Sequence, residues 1–320
     1  MNNLEKAIIE TIVYFDIFDY PLRVNEIQRW LWKSKASLNE IISLLDASSF
    51  LKEKLSFKDG FFFLSLKGKD SSLLEGKRKD IIIERLKRYR IAEEKYRKAK
   101  KIIQFLSKIP FVLGIAICND LGYSNSPEEG DIDLFIITSK NRIWFVRQKI
   151  AGFLKIFRLR PGEAKENAIC PSFFIDEDNL NLKNLSAIVP FEDDIHFIYW
   201  LCQMTPVFGR DKIWQRFYNE NKWAFDLLPN NYPFISNPVR RVKANVFQNI
   251  FESLLSGFVG DLVEKFCRYV QLKILPKEIK LVMNKDNNVV IRNGILKLHT
   301  NDRRREYHDE FYFKLCFMQK

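Results

Sequence analysis

Residues 111–140 constrain the fold more than any other stretch. "FVLGIAIC" is an uninterrupted apolar run, "NDLGYSNSPEEG" a polar turn, and "DIDLFIIT" a second apolar run that opens on two aspartates. Runs of this length bounded by turn residues read as buried strands. Residues two apart on a strand share a face, with α-carbons about 6.5–7 Å apart. Asp131 and Asp133 therefore project together, while Ile132 turns to the core.

Two carboxylates on one face can hold one or two hard divalent cations, the arrangement that phosphoryl or nucleotidyl transfer needs. A polar strand start after the Glu-Glu-Gly turn yields the same residues with no function, provided both acids stay solvated or paired. The spacing alone leaves both readings open.

The 65 residues at the front read as Leu4, Ile8, Ile12 and Phe15 at helical spacing, a break at Tyr20-Pro21, and a short helix over 24–32. A third helix opens on Ser37 with Glu40 three residues later, a capping box. KLSF and FFFLSL then flank Lys58-Asp59-Gly60, a hairpin signal. Three helices and a hairpin make a winged-helix-like pattern. The third helix faces outward with Asn39, Glu40, Ser43 and Asp46 and carries no Lys or Arg, which supplies a DNA-reading surface poorly and suits a packing or protein-contact module.

A helical pattern over 72–107 follows, with Ile82, Leu86, Tyr89, Tyr96, Ala99, Ile103 and Leu106 in one stripe. Its other face is basic across 77–101, from Lys77, Arg78 and Lys79 through Arg85, Lys87, Arg88, Arg90, Arg97 and Lys98 to Lys100 and Lys101. It reads as a solvated connector between domains or as a track for a nucleic-acid backbone. The formal charge of +12 allows an anionic partner without requiring one.

Beyond 110 the pattern alternates. Strands are expected over 111–118, 132–138 and 168–175, and helices over 144–157, 193–203 and 212–228, with a largely helical stretch from about 237. The five cysteines are dispersed without a C-x-x-C pair, which reads as reduced thiols in a cytoplasmic protein. His196, His299 and His308 have no ligand spacing, and no P-loop, G-x-S-x-G or H-E-x-x-H motif occurs. The apolar stretch 244–270 is broken by Glu252, Asp261, Glu264, Lys265 and Arg268, so no membrane span is expected.

Nucleotide-sugar glycosyltransferases place D-x-D at the end of an apolar strand, whereas here "LFIIT" follows the pair. Strand, turn, short helix, then D-x-D opening a second strand resembles the nucleotidyltransferase fold of the DNA polymerase beta superfamily. "IPFVLGIAICNDLGYSNSPEEGDIDLFIIT", "NRIWFVR" and "FGRDKIWQRFYNENKWAFDLLPN" are similar to microbial nucleotidyltransferase-domain proteins of about this length, over roughly residues 105–232. The resemblance implies that Asp131 and Asp133 hold Mg²⁺ or Mn²⁺, and that a nucleoside triphosphate is a substrate. It implies a nucleotide-binding turn at Asn119 and Asp120, where the superfamily has Gly-Ser, and a third carboxylate on a later strand. Asp176 is the nearest candidate for that acid, and Arg142 and Arg147 are candidates for phosphate contacts.

The expected fold class is α+β, a small mixed-sheet nucleotidyltransferase core with an N-terminal winged-helix-like domain and a helical C-terminal region. The divisions fall at 1–70, 71–108, 109–235 and 236–320. The expected activity is transfer of a nucleoside monophosphate to a hydroxyl acceptor with release of pyrophosphate. The alternative is a degraded member acting as a nucleic-acid-binding or scaffold protein, which the substituted turn and the lack of an acid inside the third strand favour.

Overall fold

A computed structural model describes residues 1–65, 81–164, 166–186, 193–231, 238–243, 248–299 and 302–318. At the front, α1 (Asn3–Asp16), α2 (Val24–Arg29), α3 (Leu38–Ala47) and α4 (Ser49–Lys54) precede a hairpin of β1 (Leu55–Lys58) and β2 (Phe61–Leu64). The Ser37 and Glu40 side chains cap α3 reciprocally, as their spacing predicts. The hairpin turns on Asp59 and Gly60, both with positive φ, the geometry that a two-residue loop joining twisted strands requires. An isolated bridge from Leu22 to Phe62 adds a third extended segment beside it.

The long helix α5 (Ile81–Leu106) buries Ile82, Tyr96, Ala99, Ile103 and Leu106, but its expected stripe is wrong at Leu86 and Tyr89, which are exposed. The basic face is also broken. Arg85 turns inward, its guanidinium 3.8 Å above the Tyr20 ring and 3.1 Å from the Glu26 carboxylate, so it ties α5 to α2. Lys77, Arg78 and Lys79 lie outside the described residues.

The chain is α+β around a six-stranded mixed sheet. In chain order its elements are β3 (Val112–Ile117), α6 (Asn119–Gly122), β4 (Ile132–Thr138), α7 (Ile143–Ile156) and β5 (Ile169–Asp176). Next come α8 (Ile195–Gln203), β6 (Thr205–Gly209), α9 (Ile213–Glu220) and α10 (Lys222–Phe225). The spatial order is β6, β3, β4 and β5, then a C-terminal hairpin of β8 (Ile295–Leu298) and β7 (Val289–Arg292) at the edge. Only β4 and β5 are parallel, and α7 is the crossover that a parallel pair requires.

The hairpin qualifies the expectation of a largely helical C-terminal region. Residues 289–298 pair with β5 and extend the core sheet, turning on Asn293 and Gly294 with φ +75° at the glycine. Asn-Gly between two β-rich runs is a hairpin signal that outweighs the helical surroundings. Strand β6 was also unanticipated, because Pro206 demotes a strand reading and is tolerated here on an edge.

The sheet is covered on both faces. One face, with Leu113, Phe135, Ile137, Phe173 and Ile175, packs on α1, α8, α9 and α14 (Arg304–Met318). The other, with Ile115, Ile117, Leu134, Ile136 and Phe174, packs on α5, α7 and α12 (Gly257–Ile274). Alternation along β4 puts Asp133 on the first face in line with Phe135 and Ile137. Between α10 and α14 the chain also forms α11 (Gln248–Leu254) and α13 (Lys277–Val282). Among the described residues no helix is long and apolar enough to cross a membrane.

Candidate functional site

The C-terminal end of β3 and the N-terminal start of β4 are antiparallel neighbours, so the turn after one strand faces the acids that open the other. Asn119, in the left-handed region at φ +55°, starts α6 and donates its side-chain N–H to Asp133 Oδ2 at 2.8 Å. Its carbonyl oxygen accepts from the Trp200 indole at 2.8 Å. An amide tolerates this backbone region better than most side chains. Both ends of the Asn119 side chain are therefore engaged, and it ties the Asp133 carboxylate to α8.

Asp131 is exposed, Asp133 is mostly covered, and Asp120 is exposed with Oδ1 accepting from the Tyr123 hydroxyl at 3.1 Å. Burial pushes Asp133 up to about 6, against the lowering effect of the Asn119 hydrogen bond, and the like charges of Asp131 and Asp120 push the same way. Asp131 and Asp120, exposed as whole residues, are also raised by partial desolvation of their carboxyl groups, which Lys95 partly offsets. Lys95 is buried on α5 and donates to the carbonyls of Pro127 and Gly130 at 2.5 Å each, which fixes the turn leading into the pair. The charges of Asp131 and Asp120 thus disfavour the ionised form of Asp133.

The parallel register sets Cys170 of β5 directly opposite Asp133. Burial pushes its thiol up to about 12, so it is neutral. A one-residue irregularity follows between this pair and the next, Phe135 with Phe173, and Ser172 in that bulge hydrogen-bonds the His299 ring at 2.9 Å.

Three of the sequence-derived site residues lie elsewhere. Asp176 ends β5, six residues beyond Cys170 and about 20 Å along the strand, at the opposite end of β4 and β5 from the aspartate pair. There its Oδ1 accepts from the Asn179 side chain at 2.7 Å, beside the Gly294 turn. Arg142 and Arg147 stand at the start of α7, also past the far end of β4. Arg142 binds Asp261 at 2.7 Å and the carbonyl of Asn141, and Arg147 binds Gln271 at 2.5 Å. The strand length explains the correction, because a parallel partner brings its start, not its end, to the start of β4. Asp131, Asp133, Asn119 and Asp120 are brought together; Asp176, Arg142 and Arg147 are not.

From Asn119 and Asp120 a pocket of about 230 Å³ opens toward α1, α8 and α14. One wall is aromatic, with Phe18, His196 and Tyr307 in mutual ring contact, and another is the Trp200 indole stacked on Phe173 and Phe197. Lys297, Asp302 and Arg304 close the rim as an ion cluster, with Lys297 to Asp302 at 3.2 Å and Arg304 to Asp302 at 2.7 Å. Gln203 Nε2 is buried at this pocket without a hydrogen-bond partner among the described residues. Sequence reasoning missed Lys95, Cys170, Trp200 and the Lys297–Arg304 rim. Only the Asn293-Gly294 hairpin signal could have led to the last of these.

The donor set fits a hard cation in part. Two carboxylate oxygens on one face match a Mg²⁺ ion that keeps waters and takes its remaining ligands from substrate phosphates. No cluster of three metal-ligating side chains occurs among the described residues, and the neutral Cys170 thiol is a poor oxygen-site substitute. No protein-family model, curated protein or solved structure matches the chain.

Proposed function

We propose that the chain is a metal-dependent nucleotidyltransferase-like enzyme that moves a nucleoside monophosphate from a triphosphate to a hydroxyl acceptor. The observation that carries this reading is the convergence of Asp131 and Asp133 with Asn119 and Asp120, across antiparallel β3 and β4, beside a ligand-sized pocket. A divalent cation bound there would neutralise phosphate charge and polarise the phosphorus. Asp131 and Asp133 would hold it, Asn119 keeps the Asp133 carboxylate oriented, and Lys95 keeps the preceding turn in place. The aromatic walls and Gln203 would seat the organic part of the substrate.

A second reading is favoured by one specific observation. Cys170 occupies the position opposite Asp133 that a third carboxylate would take, and Asn119 fills a turn that the superfamily keeps open for phosphate. A degraded member would retain the fold and bind a nucleotide or another partner without transfer. In this reading the front of the chain is a winged-helix-like contact module, since the exposed side of α3 offers Asn39, Glu40, Ser43 and Asp46 and no cation. Much of α5's basic face is engaged within the chain: Arg85 with Glu26, Arg88 with Glu84, and Lys98 with the carbonyl of Glu166 at 3.0 Å.

The deciding experiment incubates the protein with each α-labelled nucleoside triphosphate and Mg²⁺ or Mn²⁺, with and without RNA, beside Asp131→Asn/Asp133→Asn. Label transferred by the wild type alone supports the enzyme. Triphosphate binding without transfer supports the degraded member, and neither binding nor transfer removes both nucleotide readings.

A further inference from the structure

Helix α12 turns its largest apolar side chains outward. Its residues toward the body of the protein are Gly260, Glu264, Cys267 and Gln271, while Phe258, Val259, Leu262, Phe266 and Tyr269 face away from it. At 100° per residue the five outward side chains fall within one arc of about 100°, opposite the buried four. On the inward side Cys267 joins the second core, with the half-buried Val263 and Leu272 packed beside it, and hydrogen bonds add to this. Glu264 accepts the backbone N–H groups of Trp144 and Phe145 at 2.8 Å each, and Gln271 donates to the carbonyl of Trp144 at 2.7 Å. A helix anchored on one side by core packing and hydrogen bonds, whose outward face has no apolar cover among the described residues, is built to bury that second face against something else.

We propose that the outward face of α12 is a homodimer interface, in which the helix crosses the same helix of a second copy about a two-fold axis. Val259, Leu262, Phe266 and Tyr269 follow one another at intervals of three, four and three residues, the spacing of a seam between two helices. The exposed area is large enough to require cover. Phe258 is 83% exposed and Phe266 and Tyr269 64% each, so at roughly 200 Å² per ring these three expose about 400 Å². Leu262 and Val259 bring the strip to about 600 Å², the upper end for the largest apolar patch on a monomer. With the aliphatic stems of Lys265 and Arg268 at its edge, it approaches the ~800 Å² that each partner contributes to a stable complex.

Light scattering and sedimentation over a concentration series test the proposal on the full chain. The expected mass is twice the 38.0 kDa of one chain, falling to 38.0 kDa in Leu262→Asp and Phe266→Asp. Both side chains are exposed on one copy, so these variants keep the wild-type circular dichroism, and their melting temperature falls only by what association contributes. A more than hundredfold weaker association in the variants supports the interface. A wild type that stays monomeric overturns it, and its capture by phosphatidylserine-containing vesicles would assign the strip to a lipid surface. A dimer that both variants leave intact also overturns it.

Discussion

Cys170 stands directly opposite Asp133 in the parallel register of β4 and β5. That pairing decides how a cation could be held. The start of β5 is the one place on the neighbouring strand from which a third carboxylate could reach the aspartate pair, and it carries a neutral thiol instead. Asp176, the acid nearest in the sequence to that strand, is carried away by the strand's own length.

At the proposed cation site, Cys170→Asp should therefore add a third oxygen ligand. Without a cation the new acid adds charge to a covered carboxylate cluster and lowers stability by about 1–3 kcal/mol. With Mg²⁺ the same change should tighten ion binding about tenfold, equivalent to about 1.4 kcal/mol. Titration calorimetry of Mg²⁺ in the presence of a triphosphate measures this, and equal affinity in variant and wild type refutes the placement.

Asp133→Asn should separate the charge of this residue from its packing. Burial and the fields of Asp131 and Asp120 disfavour its ionised form, so the amide should leave the metal-free melting temperature unchanged or raise it. The variant should lose any Mg²⁺-dependent rise in melting temperature shown by the wild type. A large metal-free destabilisation would mean that Asp133 serves the fold as a charged group.

The fold was legible where local pattern and burial agree. The strands around the aspartate pair come from apolar runs bounded by turn residues, and the cap of α3 from Ser37 and Glu40. What the sequence hid depends on register and on distant segments. Nothing local marks Cys170 as the neighbour of Asp133, or Trp200, eighty-one residues downstream, as the partner of Asn119. Arg85 reads as surface because charge on a helix usually means solvent, and only the Tyr20 ring and Glu26 make its burial favourable. The outward Phe258 and Phe266 mislead in the opposite direction, since apolar periodicity does not say which face of a helix meets the body.

His196 should carry part of the acid sensitivity of the fold. Burial pushes its ring down to about 4, so the folded protein holds it neutral while the unfolded chain titrates near 6.5. Its contribution is complete above pH 6.5 and is lost as pH falls toward 4, because the unfolded state binds the proton first. Raised carboxylates such as Asp133 contribute with the opposite sign, so the comparison must be with a variant. Between pH 7 and 4.5, His196→Gln should lose roughly 1–3 kcal/mol less stability than the wild type by urea denaturation, the range reflecting a ring that reaches the pocket. Parallel stability profiles would show that the ring takes up its proton over the same pH range in the folded and unfolded chains.

Glu264 should prove the anchor of α12. The first turn of a helix leaves backbone N–H groups without internal partners, and two of these in α7, at Trp144 and Phe145, are satisfied by the two oxygens of this one carboxylate. Burial raises its affinity for a proton, and the two hydrogen bonds work against that. Glu264→Ala leaves two covered donors unpaired, which at 1–3 kcal/mol each lowers stability by about 2–4 kcal/mol after local relaxation. Glu264→Gln keeps one acceptor and should lose about half as much. Hydrogen exchange at the two amides reads the effect directly, rising in Glu264→Ala and staying at the wild-type rate in Leu262→Asp. Slow exchange in both variants would place the anchor of α12 in its remaining contacts, Gln271 with Trp144 and Arg147 and Asp261 with Arg142.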